Sequence, residues 1–227
     1  MPVPHPHGRR GRCASIAGAA LAVAGLVAAP TAAAAPCPDV EVVFARGTGE
    51  PAGIGVVGES FVDKLENDMG GKSVSTYAVN YPASYDFLAA ADGANDASAH
   101  VQGTVAACPG TAIVLGGYSQ GAAVIDAITA APGPALGFTN VMPPQIADHV
   151  AAVAVFGNPS DRIGLPLTAV SPLYGAKTID LCTVGDPICS VGDDRAAHSL
   201  YVQSGMTSQA ATFAAQRLSA TAPQTLA

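Results

Sequence analysis

The sequence predicts an α/β fold in which a mostly parallel sheet is covered by helices on both faces. Short apolar runs such as 40–45 and 150–156 alternate along the chain with segments of helical periodicity. Strands that are apolar on both faces are typical of parallel sheets buried between helices. The sequence shows no internal repeat, charged block or low-complexity linker, so we expect a single compact domain.

The predicted elements follow one another in strand–helix order. The first strand is Val40–Ala45, a β-branched and apolar run bounded by proline and glycine. Val57, Phe61 and Leu65 recur every four residues, which predicts one apolar face on a helix over 56–67. Later strands are expected at 73–80, 113–115, 150–156 and 177–181, and later helices at 86–107, 122–130 and 207–218.

Residues 1–34 have the pattern of a secretory signal peptide. Three arginines precede an apolar run over 16–29, and Ala32 and Ala34 occupy the small positions of an A-x-A cleavage site. The run is shorter than the about 20 residues that a membrane-spanning helix needs. We therefore expect cleavage after Ala34, no stable membrane insertion, and a secreted domain over 35–227 that is extracellular or associated with the cell wall. An uncleaved membrane anchor is the alternative.

The charge balance argues against polyanionic partners. The chain contains 10 Lys and Arg residues against 17 Asp and Glu residues, and three of the arginines lie in the predicted signal peptide. Processing would leave 7 basic and 17 acidic residues, a net charge of −10, whereas nucleic acids and anionic membranes bind clustered cations. We expect no nucleic-acid partner, and nothing in the sequence requires more than a monomer.

Four cysteines remain after the predicted processing: Cys37, Cys108, Cys182 and Cys189. An even number of cysteines in an exported chain indicates two disulfides, for which three pairings are possible. Cys182 and Cys189 are close neighbours and are expected to pair, which leaves Cys37 for Cys108. A zinc site is the alternative, although the chain contains no C-x-x-C pair. We expect no metal and no organic cofactor.

A G-x-S-x-G motif over 117–121 predicts the nucleophile. The motif directly follows an apolar strand and directly precedes an apolar helical pattern. This is the strand–turn–helix setting of a nucleophile elbow, in which a tight turn lifts a serine hydroxyl above the sheet. The pattern therefore indicates an α/β-hydrolase with Ser119 as its nucleophile. The alternative is a glycine-rich turn with a bystander serine.

Chain order then selects the base. In α/β-hydrolases the acid and after it the histidine follow the serine along the chain. His100 precedes Ser119, and His149 leaves too little chain between itself and the serine for the acid. His198 is therefore the expected base, with a solvated surface histidine as the alternative.

Asp186 is the expected acid among four aspartates that precede His198. It lies inside the small ring that Cys182 and Cys189 would close, and a closed loop fixes where the enclosed carboxylate points. Asp180, Asp193 and Asp194 are the other candidates. The alternative is that Asp186-Pro187 only forms a turn and that Asp193 or Asp194 serves instead.

Two donors are expected to form an oxyanion hole. One is the backbone N–H of Gln120, the residue after the nucleophile, and the other belongs to the loop after the first strand, where Thr48 lies in Arg46–Glu50. A glycine-rich turn without a catalytic role is the alternative for this loop.

Three segments, Phe44–Glu50, Gly116–Gly121 and Cys182–Cys189, together with His198 resemble the cutinase family and come nearest to the cutinase-like serine esterases of actinobacteria. The resemblance spans the chain from Cys37 to about residue 218. It implies a compact α/β-hydrolase without a large lid. It also implies a set of site residues: the triad Ser119, Asp186 and His198, the oxyanion-hole residues Thr48 and Gln120, and the disulfides Cys37–Cys108 and Cys182–Cys189. Fungal members commonly have serine where this chain has threonine at 48.

The resemblance implies hydrolysis of cutin-like polyesters, acylglycerols or simple fatty-acid esters. We therefore expect a secreted carboxylic-ester hydrolase that works through an acyl-enzyme on Ser119, with an ester or lipid as its substrate. Acyl transfer to an alcohol, phospholipase action and non-catalytic lipid binding by an exported protein are the alternatives. The loops 81–88, 165–174 and 181–191 are expected to line the pocket, with six possible acyl contacts: Phe87, Leu88, Leu165, Leu167, Leu173 and Ile188.

Overall fold

The structure is a computed structural model that describes residues 36–220. The predicted signal peptide, residues 1–34, lies outside the described residues. Within them, the strands are β1 (Val40–Ala45), β2 (Val74–Ala78), β3 (Ala112–Tyr118), β4 (Val150–Phe156) and β5 (Thr178–Leu181). They form one sheet in the order β2-β1-β3-β4-β5, and each neighbouring pair is parallel. The predicted α/β class is confirmed, with a sheet that is parallel throughout.

Helices cover both faces of this sheet. The α-helices are α1 (Gly55–Asp68), α2 (Ala90–Ala107), α3 (Gln120–Ala130), α4 (Pro159–Arg162), α5 (Leu167–Val170) and α6 (Met206–Ala220). Short 3₁₀ segments lie at Phe87–Ala89, Pro144–His149, Gly175–Lys177 and Ala197–Ser199. Side chains alternate between the faces of a strand, so Val43 joins the core beneath α2 and α3 whereas Val42 joins the core beneath α1 and α6.

The strand β3 is longer than the predicted run 113–115, because two glycines belong to the strand and not to the turn. A Cβ atom on Gly116 would lie 2.4 Å from the ring of Phe44, and one on Gly117 would lie 2.3 Å from the backbone oxygen of Gly121. Neighbouring elements therefore approach the end of β3 more closely than any side chain would allow. As a consequence, α3 begins at Gln120, two residues before the predicted start.

Two disulfides hold opposite edges of the sheet. Cys37 is bonded to Cys108, which ties the chain before β1 to the end of α2 at the amino edge. Cys182 is bonded to Cys189 and closes the loop after β5 at the carboxyl edge. No helix within residues 36–220 combines the length and the apolar character that crossing a bilayer requires.

The carboxyl edge of the sheet collects the segments with the predicted site residues. The loop Arg46–Glu50 follows β1, Ser119 follows β3, and the segment 182–198 follows β5. Because parallel strands end at the same edge, residues that are far apart in sequence meet there.

Candidate active site

Ser119 lies in a strained turn between β3 and α3. Its φ is 56° and its ψ is −117°, a conformation that L-residues rarely adopt and that costs about 1–3 kcal/mol. The turn is possible because Gly121 carries no side chain: a Cβ atom there would lie 1.9 Å from the carbonyl oxygen of Ala45. The N–H of Ser119 donates to the carbonyl of Phe156 at 2.9 Å, which ties the turn to the end of β4.

The structure brings Ser119, His198 and Asp186 into one hydrogen-bonded chain. The distance from Ser119 Oγ to His198 Nε2 is 2.8 Å, and the distance from His198 Nδ1 to Asp186 Oδ2 is 2.7 Å. Asp186 is fully buried, while the ring of His198 is partly exposed. A neutral histidine with Nδ1–H on the aspartate presents an unprotonated Nε2 to the serine hydroxyl. The arrangement can therefore remove the hydroxyl proton from the serine.

Three donors face the two oxygens of the Asp186 carboxylate. Besides His198, the N–H of Ile188 donates to Oδ1 at 2.8 Å and the hydroxyl of Tyr201 donates to Oδ2 at 2.5 Å. Burial raises the pKa of Tyr201 far above its ordinary value, and its hydrogen bond to Asp186 raises that pKa further. The tyrosine hydroxyl thus keeps its proton and acts as a donor. Three donors suit a carboxylate, which can only accept.

The imidazole of His198 lies in a slot between Tyr118 and Gly157. The ring of Tyr118 stacks on it with the centroids 5.0 Å apart, and the Tyr118 hydroxyl donates to the His198 carbonyl at 2.6 Å. A Cβ atom on Gly157 would lie 2.8 Å from Cε1 of the histidine ring. Gly157 also has a φ of 60°, which favours glycine. The slot fixes the plane of the ring that links the serine to the aspartate.

Thr48 and Gln120 lie side by side near the serine. The Thr48 hydroxyl donates to Gln120 Oε1 at 3.3 Å, and Gln120 Nε2 donates to the carbonyl of Ser84 at 3.0 Å. Gln120 is the first residue of α3, where backbone N–H groups have no partner within the helix and the helix dipole is positive. The site therefore offers donors to a negative oxygen that forms beside Ser119.

The loop that contains Thr48 is fixed by hydrogen bonds of two charged residues, Arg46 and Glu50. The carboxylate of Glu50 accepts the N–H groups of Gly47 at 2.6 Å and of Val56 at 3.0 Å. The buried guanidinium of Arg46 donates to the carbonyls of Glu50 at 3.0 Å and Tyr81 at 2.7 Å. Arg46 is thus occupied in building the loop and does not face the serine as a free cation.

The other candidate aspartates have different partners. Asp194 Oδ1 accepts the N–H of Ala196 at 2.9 Å, and Asp193 is exposed. Asp180 Oδ2 accepts from Asn158 Nδ2 at 3.2 Å, within a separate group of acidic residues. Only Asp186, among these four residues, is hydrogen-bonded to His198 in the described part of the chain.

Sequence reasoning missed Tyr118, Gly157 and Tyr201. Tyr118 lies inside the serine motif, but its spacing gives no sign that it stacks on a histidine 80 residues away. Gly157 directly follows β4, and a glycine at the carboxyl end of a predicted strand is a weak signal for a site. Tyr201 lies three residues after His198, and its contact with Asp186 depends on how the last loop folds back.

The expected pocket walls are only partly right. An apolar cavity of about 190 Å³ lies beside α3, and Phe87 and Leu88 are among its lining residues. The expectation that Leu167 contacts substrate is wrong, because its side chain is fully buried in the core. Ile188 contributes its backbone N–H to Asp186. Ala135, Leu136 and Phe138 also line the cavity, and they belong to a segment that sequence reasoning did not consider.

Comparisons with known proteins agree on one family. A sequence model of the cutinase family matches residues 36–218. The chain is 56% identical over 227 residues to the phospholipase Culp4 of Mycobacterium tuberculosis (strain ATCC 25618 / H37Rv), with 96% of this chain and 100% of Culp4 covered. It is 57% identical over 204 residues to the carboxylesterase Culp1 of Mycobacterium bovis (strain ATCC BAA-935 / AF2122/97), with 85% of this chain and 89% of Culp1 covered.

Solved structures give the same answer. A Trichoderma reesei cutinase in complex with a C11Y4 phosphonate inhibitor has a TM-score of 0.67 and 33% identity, over 81% of this chain and 78% of that one. An acetylxylan esterase solved at 0.90 Å has a TM-score of 0.69 and 27% identity, over 81% of this chain and 100% of that one. The chain therefore belongs to the cutinase family and is a serine ester hydrolase, which confirms the resemblance.

Proposed function

We propose that this member of the cutinase family is a secreted carboxylic-ester hydrolase that acts through an acyl-enzyme on Ser119. The observation that carries the proposal is the hydrogen-bonded chain from Ser119 through His198 to the buried Asp186, with distances of 2.8 and 2.7 Å. A serine hydroxyl is a weak nucleophile unless an adjacent base takes its proton, and this chain supplies an oriented base.

In the acylation step, His198 Nε2 takes the hydroxyl proton while Ser119 Oγ forms a bond to the ester carbonyl carbon. The carbonyl oxygen becomes an oxyanion, which the N–H of Gln120 and a donor of Thr48 stabilise. His198 then gives its proton to the leaving alcohol oxygen as the bond between that oxygen and the carbonyl carbon breaks. Asp186 stays ionised and stabilises the histidinium that forms between the two proton transfers.

In the deacylation step, a water molecule takes the place of the alcohol. His198 removes a proton from the water as its oxygen attacks the acyl carbon, and then returns a proton to Ser119 Oγ as the acyl bond breaks. The free acid leaves, and the resting hydrogen bonds are restored. The same first step is compatible with transfer to another alcohol, so product analysis in the presence of added alcohols separates hydrolysis from acyl transfer.

Export belongs to the proposal for two reasons. Residues 1–34 have the pattern of a cleavable signal peptide, and the protein contains two disulfides, which persist in oxidising compartments. Identification of the first residue of the protein recovered from culture medium tests this part, and a start at Ala35 is the expected result.

The test of the activity is hydrolysis of p-nitrophenyl butanoate by the processed protein and its Ser119→Ala variant. We expect the variant to lose at least about 10³-fold in kcat while its melting temperature stays within a few degrees of that of the parent. Ser219→Ala, at an exposed position of α6, is the matched control and should keep full activity. A folded Ser119→Ala variant as active as the parent would overturn the proposal.

Phospholipase action is the second candidate, because the relative Culp4 is named a phospholipase. A phospholipid head group needs a cation near the serine. Arg46 and Arg162 both donate to backbone carbonyls, whereas Arg195 is exposed three residues before His198. Release of fatty acid from phosphatidylcholine vesicles that falls in Arg195→Gln, but not in the distant Lys72→Gln, would favour this candidate over a simple esterase.

A further inference from the structure

The apolar cavity beside α3 begins one helical turn from the proposed nucleophile. Its floor includes Ala123, whose N–H donates to the carbonyl of Ser119 at 3.3 Å, and then Ala127 and Ala131. All ten of its lining residues are Ala, Leu or Phe. The floor is therefore made of small side chains along one face of the helix, and the space above them suits hydrocarbon better than a polar or charged group.

The far end of this cavity, which we call the groove, lies about as far from Ser119 as a long hydrocarbon chain can reach. Residues 119 to 131 rise about 18 Å along a helix at 1.5 Å per residue. One leaflet of a bilayer, which is about one fatty-acid chain in depth, has a hydrocarbon thickness of about 15 Å. The groove itself begins at Ala123, so an acetyl or butanoyl group on Ser119 would reach little beyond its near end, whereas a long chain would extend along it to Ala131.

One residue of the lining, Leu136, is a leucine that neither the fold nor its own turn requires. Leu136 and Gly137 form a two-residue turn in which Ala135 and Phe138 exchange backbone hydrogen bonds of 3.0 and 2.8 Å. Both turn residues have positive φ, 50° for Leu136 and 92° for Gly137. Asn-Gly is the usual pair in such a turn, because asparagine tolerates this conformation and leucine does not.

Leu136 is also 85% exposed, so burial in the core does not explain why an apolar residue accepts this strain. Two other lining residues, Phe87 and Leu88, are similarly exposed, at 63% and 69%. These three side chains become buried if hydrocarbon lies between them. Residues held in a strained conformation gather at functional sites, and Leu136 lines the groove.

The position of the groove relative to His198 indicates which part of the ester it takes. The leaving alcohol must lie near His198, which donates its proton, and His198 contacts Gly157 at the end of β4. The groove wall at Phe87 and Leu88 follows β2, which lies on the other side of β3 from β4. The acyl chain, bonded to the carbonyl carbon opposite the alcohol, therefore points toward the groove.

We propose that this groove binds the acyl chain of the substrate and makes the enzyme selective for esters of long-chain fatty acids. The proposal rests on the esterase function proposed above. Ala123, Ala127 and Ala131 set the usable length, and Leu136 adds an exposed apolar side chain to the lining, in a turn that packs against Ala91 and Asn95 of α2.

The first test blocks the groove at three depths with Ala123→Leu, Ala127→Leu and Ala131→Leu. For each variant, kcat/KM is measured on p-nitrophenyl butanoate, octanoate, dodecanoate and hexadecanoate. We expect the parent to prefer the longer esters. Each block should lower kcat/KM about tenfold for chains that reach it, so that the loss begins at longer chains as the block moves from 123 to 131. Melting temperatures identify any variant that fails to fold.

The second test uses the turn. In Leu136→Asn, the ratio of kcat/KM for dodecanoate to that for butanoate should fall about tenfold, while the melting temperature should stay the same or rise because asparagine relieves the strain. Ile163→Asn is the matched control, since Ile163 is also an exposed aliphatic residue, at 71%, but lies outside the groove. The control should leave the ratio unchanged.

The groove could hold either the acyl chain or the alcohol of the ester. A series of acetate esters with alcohols of increasing length distinguishes the two. If the blocks act on this series and spare the acyl series, the groove holds the alcohol and the proposal is overturned. It is equally overturned if Ser119-dependent hydrolysis is present but the acyl-length profile is the same in all three block variants. In that case the esterase function still stands, whereas loss of all Ser119-dependent hydrolysis in the parent would remove the proposed function itself.

Discussion

Asp180 lies in β5 and Asp186 follows it by six residues, yet the two carboxyl groups have opposite surroundings. Asp186 meets three donors, from His198, Ile188 and Tyr201. Asp180 meets another carboxyl group: its Oδ1 and the Oδ1 of Asp161 are buried and receive no hydrogen from any residue in the described part of the chain.

Asp180 forms a group with Asp126 and Asp161, which we call the acid cluster. Burial raises the pKa of Asp180 to about 8, and the neighbouring charge of Asp161 contributes to the rise. Burial also raises the pKa of Asp161, and it raises that of Asp126 to about 6. Asp161 and Asp180 are close enough to form a hydrogen bond with each other, so a proton on Asp180 can be donated to Asp161.

Burial alone therefore does not decide whether a carboxyl group is ionised or protonated. Asp186 is the more deeply buried of the two, yet its donors suit an ionised carboxylate that orients a histidine. The acid cluster has fewer donors than oxygens, and it suits protonated carboxyl groups that join α3, α4 and β5.

Asp186→Asn should have the largest effect on activity. The NH2 group of the asparagine donates hydrogen bonds, whereas the carboxylate of Asp186 only accepts them. The histidine therefore loses its orientation and tautomer, and we expect kcat to fall about 10⁴-fold. Asp180→Asn, the matched change in the acid cluster, should stay within about threefold of the parent. Steady-state hydrolysis of p-nitrophenyl butanoate measures both. Equal losses in the two variants would mean that the difference in surroundings has no functional meaning.

Removal of each disulfide separates support of the site from support of the fold. Cys182→Ser/Cys189→Ser opens a small ring that contributes roughly 2–3 kcal/mol to stability and also holds Asp186, so we expect lower kcat as well as a lower melting temperature. Cys37→Ser/Cys108→Ser opens a longer loop worth roughly 4 kcal/mol at the opposite edge. That pair should lose more stability but keep kcat when assayed well below its melting temperature. A reversed pattern would show that the ring does not position the aspartate.

Tyr201→Phe should lower kcat by about tenfold, because it removes one donor from Asp186 while the ring remains to pack against Phe156. The N–H of Thr183 also loses its acceptor, so the melting temperature should fall by a few degrees. Tyr174→Phe is the comparison, since Tyr174 is another buried tyrosine, in the core away from His198. An unchanged kcat in Tyr201→Phe would remove its role in positioning Asp186.

The smallest effect concerns the pH dependence of stability. Asp180 has a raised pKa of about 8 in the folded protein, whereas an unfolded aspartate ionises near pH 3.9. Between these values the folded chain binds more protons than the unfolded one, so stability is greatest below about pH 4 for this group and decreases as the pH rises toward 8.

Asp180→Asn imitates the protonated carboxyl, since its amide can donate to Asp161 and accept from Asn158. We expect the variant to gain about 1 kcal/mol over the parent at pH 8, or about 3 °C in melting temperature, and to gain less as the pH approaches 4. Thermal unfolding at several pH values measures this. A difference between the variant and the parent that stays constant from pH 4 to pH 8 would show that the pKa of Asp180 is not raised in the folded protein.

The sequence predicted most of the fold, and the structure joins the three residues of the predicted triad by hydrogen bonds, while their catalytic roles stay predictions. Val40–Ala45 and Val150–Phe156 were located to the residue because a run that is apolar on both faces marks a buried strand. Ser119 and His198 followed from a motif and from chain order. Asp186 followed from a ring of cysteines.

The remaining features depend on contacts between distant segments. Gly157 leaves space for a histidine that comes 41 residues later, and no local pattern encodes that space. Leu136 looks like any loop residue until its positive φ and its exposure are known. The acid cluster joins residues from α3, α4 and β5, whose common location depends on how the sheet is wound.

In the proposed mechanism, Ser119 forms the acyl-enzyme with the help of His198. The most direct measurement is peptide mass spectrometry after the protein is incubated with a p-nitrophenyl alkylphosphonate, which traps a nucleophilic serine covalently. We expect one adduct per chain, on the peptide that contains Ser119, and a loss of activity in parallel with labelling. We expect much slower labelling in His198→Ala. An adduct on a different residue, or full activity after Ser119 has been labelled, would contradict it.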